Sequence, residues 1–550
     1  MAALASVVAG EPGLIQTRQL GFCPAFWYHT HVSLHRKLLI SGGLAIGLGG
    51  LVVLPAFASA PIQAAPGFDL ARLIAACLAW LVPAGFVLVA AAGVPQQRAW
   101  QTALAGVAGA SMGVLLFFAV GFGLAFGGLG LVTPPGAGFG GLIWEWTLVA
   151  GDWGYKWGMA GLNGWALTGP AATPAAYGLF FAQLPWVATA TMIPLLALRG
   201  RSPSFSTLLG GLLIGALLYP LATNWVWGGG WLANLGANLN LGHGLVDFAG
   251  ASTVHMLGAA AALAGLLVLV PRRPRVQASL TNAQAVEMPP VHLPLLAAVG
   301  AFFILAGSMS WAWANPLLDV PTLLPMRGVV NAALVAASGA LVPLAYTWFA
   351  TGKPDPLMAA RGLAAGAIAG MAFGPFFPPW AAVVVGLVVG LLVPLLTYLV
   401  REVLRLDDDT ALAPVHLVGG LVGLLAVALL SDGLAGAGWN GVGPIQFLGV
   451  AGQGVTGLWP AQGYQPDWPG QMQAQLIGIG ALFLVAFLAG LVVFGLLAAL
   501  AHGFRRMASA RSVTSRQPAP ETALVSAGVE AEPTVSIVPD APNAVSAGEA

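Results

Sequence analysis

The sequence predicts an all-α integral membrane protein with eleven transmembrane helices, arranged as two inverted five-helix repeats around a central pore plus a last peripheral helix. Three observations predict it. The first is the scarcity of charge: of 550 residues, 20 are Lys or Arg and 19 are Asp or Glu, 7% together, where an ordinary soluble domain carries about 25%. Hydrophobic residues reach 58% and mean hydropathy is +0.85, so the chain cannot clothe a soluble globule of this size in polar groups. The second is a series of apolar runs, each close to the ~20 residues that cross a bilayer core. The third is a histidine motif that occurs twice, five runs apart. Disorder of the bulk and a nucleic-acid partner are both excluded, the latter by a net charge of only +1.

Taken in order, residues 1–60 form an N-terminal extension. Within it RKLLISGGLAIGLGGLVVLPAFASA, residues 36–60, has a basic pair, an apolar run and a small-residue end. That is the pattern of a secretory signal peptide, with a further membrane helix as the alternative. The membrane domain covers 61–503. Repeat one, about 70–270, holds runs at 70–92, 101–127, 175–198, 206–227 and 247–270. Repeat two, about 290–432, holds runs at 290–312, 327–350, 356–374, 378–404 and 411–432. The last helix is 474–503. Alternation with a period of two is missing, which excludes a β-barrel. The tail, 504–550, is rich in Ala, Ser, Pro and Glu and reads as disordered. Cys23 and Cys77 lie in unlike surroundings, and no disulfide is expected.

Orientation follows from the positive charges. With the mature N-terminus outside, thirteen Lys and Arg between Arg98 and Arg516 fall on cytoplasmic segments, and Lys156 and Arg327 fall outside. The C-terminus is then cytoplasmic. The long loops 128–174 and 433–473 fall outside, and their tryptophans suit interfacial anchoring.

Two runs carry a histidine in matched contexts. Asp247, Val254, His255 and Gly258 recur as Asp408, Val415, His416 and Gly419, with Leu263 and Leu424 eight residues past each histidine. Five spans is an odd number, so the second copy runs opposite to the first, as in transporters whose site lies at a repeat interface. An ionisable side chain in lipid is costly, so both histidines should face protein or a pore. If the run 247–270 is helical throughout, Asp247 lies about 12 Å from His255, near the outer face. It either biases a vestibule toward cations or caps the helix. Other ligands for a metal are lacking nearby, as is a nucleophile–base pair. No metal, cofactor or catalytic residue is expected. An imidazole pair in an apolar pore can instead share a proton, accept an N–H, or relay a proton.

On these residues the chain resembles the ammonium transporter (Amt/Mep/Rh) family. The strongest stretches are WVWGGGWL at Trp225–Leu232, DFAGASTVH at Asp247–His255 and VHLVGGLVGLL at Val415–Leu425. Weaker ones include FFAQLPWVATA at Phe180–Ala190 and VNAALVAASGAL at Val330–Leu341. The resemblance implies ammonium or ammonia transport across the inner (cytoplasmic) membrane. His255 and His416 would be the twin pore histidines, and Trp227, Trp186 and Asn315 would form the outer ammonium site. Trp186 and Trp311 would stand at the two gate positions, where the family has phenylalanine. Asp247 and Gln183 would be vestibule or structural residues. A homotrimer in membrane lipid is implied, with no nucleic acid. The family's tail pattern is lacking, so a PII-type regulator is not expected. About eight extra residues, near ANLNLGHG, separate Trp227 from Asp247, and Ala411 replaces the acidic residue expected five before the second histidine. Bulky tryptophan gates leave two alternatives open: a sensor that conducts little, or a channel for another small solute.

Overall fold

The computed structural model describes residues 70–95, 98–149, 157–200, 204–273, 292–314, 317 and 323–514. Residues 36–60, expected to be a signal peptide, and the tail beyond 514 lie outside them. Eleven helices among the described residues are long and apolar enough to cross a membrane: α1 Leu70–Ala92, α2 Ala99–Leu131, α3 Pro174–Leu198, α4 Phe205–Val226, α5 Ala251–Leu269, α6 Leu293–Trp311, α7 Pro325–Thr351, α8 Pro356–Phe376, α9 Pro379–Val403, α10 Ala413–Leu430 and α11 Gly470–Gly503. The protein is an all-α multi-pass membrane protein. Its last helix continues to Thr514, into the stretch that the composition assigned to a disordered tail.

Pro at the first helical position opens α3, α7, α8 and α9, where its missing N–H costs nothing. Thr173 accepts from the Ala176 N–H and Asp355 from the Leu357 N–H, capping α3 and α8. The central helices α3, α5 and α8 are mostly buried, whereas α11 turns Leu484, Leu488 and Val492 outward. In lipid no hydrophobic drive holds helix to helix, so close backbone approach through small residues does. Gly85 of α1 and Gly300 of α6 show it reciprocally. A Cβ on Gly85 would lie 2.6 Å from the Gly300 carbonyl oxygen, and one on Gly300 would lie 2.8 Å from that of Gly85. The helices α1 and α6 therefore touch backbone to backbone at these two glycines.

The long loops carry two hairpins, Glu145–Thr147 (β1) with Gly158–Gly161 (β2), and Gln446–Phe447 (β3) with Val450–Ala451 (β4). Strands of two to four residues are too short to show an alternation in sequence. The second loop folds over the entry to α5. Trp439 stacks on Phe248 with ring centroids 6.2 Å apart, and Asn440 Nδ2 donates to the His243 carbonyl at 2.8 Å. Gln471 and Gln475 at the start of α11 grip the same segment. Gln471 Oε1 accepts from the His243 N–H at 3.0 Å, and Gln475 exchanges two bonds with the Val246 backbone.

Candidate functional site

The histidine helices begin alike. Five residues before His255 the chain passes through Gly250 at φ 103°, and five before His416 it passes through Ala411 at φ 54°. Each helix then opens on a π-helical turn, Ala251–Met256 and Ala413–Leu417. Such turns recur at functional sites. Each start is capped by the aspartate of the motif. Asp408 Oδ1 accepts from the Leu412 N–H at 2.8 Å and Oδ2 from the Ala413 N–H at 3.0 Å.

Asp247 does more. Its Oδ1 accepts from the N–H groups of Gly250 (2.9 Å) and Ala251 (2.8 Å); its Oδ2 accepts from those of Ser252 (2.8 Å) and Thr253 (3.1 Å) and from the Ser252 hydroxyl. Four orphan donors of a helix start are thereby served by one side chain. Burial pushes its carboxyl above the ordinary range, and the bonds from Ser252, Thr253 and Gly250 pull it back. The side chain is fully buried. Asp247 is thus a cap beneath the entry loop, not a carboxylate lining an open vestibule. Residues 247–250 are not helical, which corrects the expected start of this span and the ~12 Å offset built on it.

The opposed helices bring His255 Nδ1 within 3.0 Å of His416 Nδ1, with the rings 20° from parallel. One nitrogen donates and the other accepts, so the pair shares one hydrogen at this contact. Phe86 of α1 lies against both, at 5.3 and 4.7 Å between centroids. His255 is sealed and its Nε2 has no partner among the described residues, while His416 keeps 9% of its surface.

Beyond His255 stand three tryptophans. Trp186 meets Trp311 edge to face at 4.8 Å and Trp227 at 6.2 Å. Trp186 and Trp311 are fully buried, whereas Trp227 is partly exposed. Gln183, one turn before Trp186, accepts from the Tyr219 hydroxyl at 2.7 Å and faces no open space. Asn315 lies outside the described residues. Seven of the eight candidate residues are thus placed, and five of these form two groups of ring contacts, His255 with His416 and Trp186 with Trp227 and Trp311.

Sequence reasoning missed three supports. Gln471 and Gln475 were legible only as two amides four apart at the head of an apolar helix. Asp409 ties together the ends of several helices, with Oδ2 3.6 Å from Arg98, Oδ1 3.6 Å from Arg199, and its carbonyl accepting from Arg361 at 2.8 Å. The Ala249 carbonyl carries no sequence signal at all.

A family model described as the Ammonium Transporter Family matches residues 70–509. The ammonium transporter Amt2 of Archaeoglobus fulgidus is 31% identical over 361 residues, covering 65% of this chain and 72% of that one. Ammonium transporter Amt1 of Haloferax mediterranei is 29% identical over 401 residues, covering 70% of each. Among solved structures, one titled Sensor Amt Protein superposes with a TM-score of 0.59 at 24% identity, over 78% of this chain and 92% of that one. Saccharomyces cerevisiae Mep2 does so with a TM-score of 0.57 at 21% identity, over 78% and 85%. At those identities the two structures speak for the fold alone.

Proposed function

The chain belongs to the ammonium transporter family and transports ammonium, and we propose that its route runs past Trp227, between Trp186 and Trp311, and along His255 and His416. The 3.0 Å contact between two histidines on opposed helices carries this reading. Outside, the face of Trp227 holds the cation, a contact worth about 0.5–2 kcal/mol depending on desolvation. Beyond it the rings of Trp186 and Trp311 exclude water. A bare charge in so apolar a passage is too costly, so the ion sheds a proton and ammonia goes forward. The free Nε2 of His255 can then accept an N–H from it or give one to it, according to tautomer. The shed proton either stays outside or crosses over the imidazole pair.

The same proposal sets the molecule in the inner membrane, N-terminus outside after signal removal, as a homotrimer without a cofactor and without enzymatic activity. Arg98, Arg199, Arg272, Arg273, Lys353, Arg401 and Arg405 all lie at or just beyond the ends of odd-numbered helices and so share one side, which supports a cytoplasmic assignment for it. The trimer rests on family resemblance.

The test is a proteoliposome assay recording current and internal pH after an ammonium pulse, for wild type and for the double variant His255→Ala, His416→Ala. A saturable ammonium current lost in the double variant supports proton passage over the pair. A pH change without current means neutral ammonia flux. Silence from folded, correctly inserted wild type would sink the transport route and turn attention to sensing.

A further inference from the structure

Backbone bookkeeping at the entry to α5 leaves a pattern that a plain aromatic plug does not explain. The Phe248 and Ala249 N–H groups are held by the carbonyls of Ala372 (3.0 Å) and Met371 (2.6 Å) at the end of α8. The carbonyls on the other side go to tryptophans. That of Asp247 accepts from Trp227 Nε1 at 2.8 Å. That of Ala249 accepts from Trp186 Nε1 at 2.8 Å and from Trp311 Nε1 at 2.9 Å. Two gate rings that start 125 positions apart thus end on one oxygen, and they fill both of its lone pairs.

We infer that Trp186 and Trp311 form a hydrogen-bonded latch on the Ala249 carbonyl, which opens by exchanging an indole N–H for an N–H of the permeating solute. The inference rests on the route proposed above and concerns what holds its gate shut.

A phenylalanine gate is held by packing and turns aside without breaking a polar bond. A tryptophan whose N–H is bonded must leave that bond first, and once both rings have moved a buried oxygen is left behind without a donor. A buried acceptor without a donor is costly. The carbonyl cannot follow the departing ring. Its peptide is tied to α8 on one side, and on the other Gly250 passes so near that a Cβ there would lie 3.2 Å from Trp186 Cδ1 and 3.4 Å from Nε1. Something must therefore donate to Ala249 as the ring moves. The solute of this route carries N–H bonds and arrives from Trp227, whose own N–H is anchored two residues earlier on the same loop. Because the two gate rings touch edge to face at 4.8 Å, displacing one pushes on the other.

The test uses the full chain, with Trp186→Phe, Trp311→Phe and the double variant, each checked for folding by elution and thermal unfolding. Removing an N–H while keeping a ring should raise the saturating ammonium conductance about five-fold per latch bond, since one hydrogen bond is worth roughly 1 kcal/mol, with little change in KM. The second readout is the ultraviolet resonance Raman band of indole that reports N–H bonding, recorded on wild type in detergent with ammonium chloride against sodium chloride. Ammonium should weaken the strongly bonded indole signal, and the double variant should lack that response. A Raman signal indifferent to ammonium overturns the latch, as do folded phenylalanine variants that conduct no faster than wild type. Should wild type fail to transport, the route falls, and the Raman response alone still decides whether the indoles yield to ammonium.

Discussion

Replacing Asp247 by Asn separates capping from charge attraction. Asn keeps one oxygen for the N–H groups of Gly250 and Ala251 but turns an NH2 toward those of Ser252 and Thr253, which now contact Oδ2 at 2.8 and 3.1 Å. Two buried donors then lose their acceptor, at about 1–3 kcal/mol each. The Ser252 hydroxyl can rotate to accept from the new amide, so the net cost should be ~4 kcal/mol. For a large domain one kcal/mol moves the unfolding temperature by about 2 °C, so the variant should melt on the order of 8 °C lower in detergent. The opening turn of α5 should loosen with it and carry His255 away from His416. Thermal unfolding followed by intrinsic fluorescence measures the first effect, and the transport assay measures the second. An Asp247→Asn protein that melts like wild type yet binds ammonium more weakly would refute the capping argument and restore the carboxylate to the vestibule.

Three further outcomes are expected. Gly250→Ala places a Cβ at φ 103° and 2.8 Å from Val254 Cγ2, so it should cost more than 1 kcal/mol in stability and disturb Trp186, visible as a changed indole fluorescence. Arg327→Met should destabilise by about 2 kcal/mol, because it strips a paired, nearly buried Asp432 of its double contact; Lys353→Met, at an exposed position, should be neutral within about 0.5 kcal/mol, and chemical unfolding compares the two. In the loops before α5 and α11, burial lowers His243 from 6.5 to about 3 and raises Asp467 from 3.8 to about 6. The unfolded chain binds a proton at His243 that the folded one refuses, so stability falls as pH drops from 6.5 toward 3. Asp467 acts in the opposite sense, its penalty growing as pH rises from 3.8 through about 6. Melting curves of His243→Leu should lose the first slope, and those of Asp467→Asn the second.

Most of the fold was legible because crossing a bilayer demands long apolar runs, and these stand out one residue at a time. The histidine pair was legible because repetition exposed it: Asp247 to Gly258 and Asp408 to Gly419 can be laid side by side without knowing where either sits. Trp186 lies in the stretch FFAQLPWVATA that carries the resemblance, but Trp311 lies in none of the stretches quoted for it, and only the structure sets it 4.8 Å from its partner. What could not be read was backbone chemistry. A carbonyl such as that of Ala249 has no letter of its own, and its importance comes from two distant side chains converging on it. The clamp of Gln471 and Gln475 failed to show for a related reason, since their partners are main-chain groups 227 to 229 positions earlier. The continuation of the last helix to Thr514 was hidden because Arg505, Arg506 and Arg511 lower hydropathy without breaking a helix.

The Nδ1-to-Nδ1 contact has a consequence for direction. If His255 supplies the shared hydrogen, its far nitrogen is a lone pair and that of His416 is an N–H; if His416 supplies it, the assignment reverses. The covalent chain is the same in both cases. A molecule travelling along the pair therefore meets acceptor then donor, or donor then acceptor, and a single passage that moves one proton along the row leaves the order inverted behind it. The next molecule finds a passage that remembers the last, until a proton returns. Such a file of two imidazoles stores one bit, and the rate at which that bit resets would bound the turnover of any charge-carrying cycle without touching neutral flow.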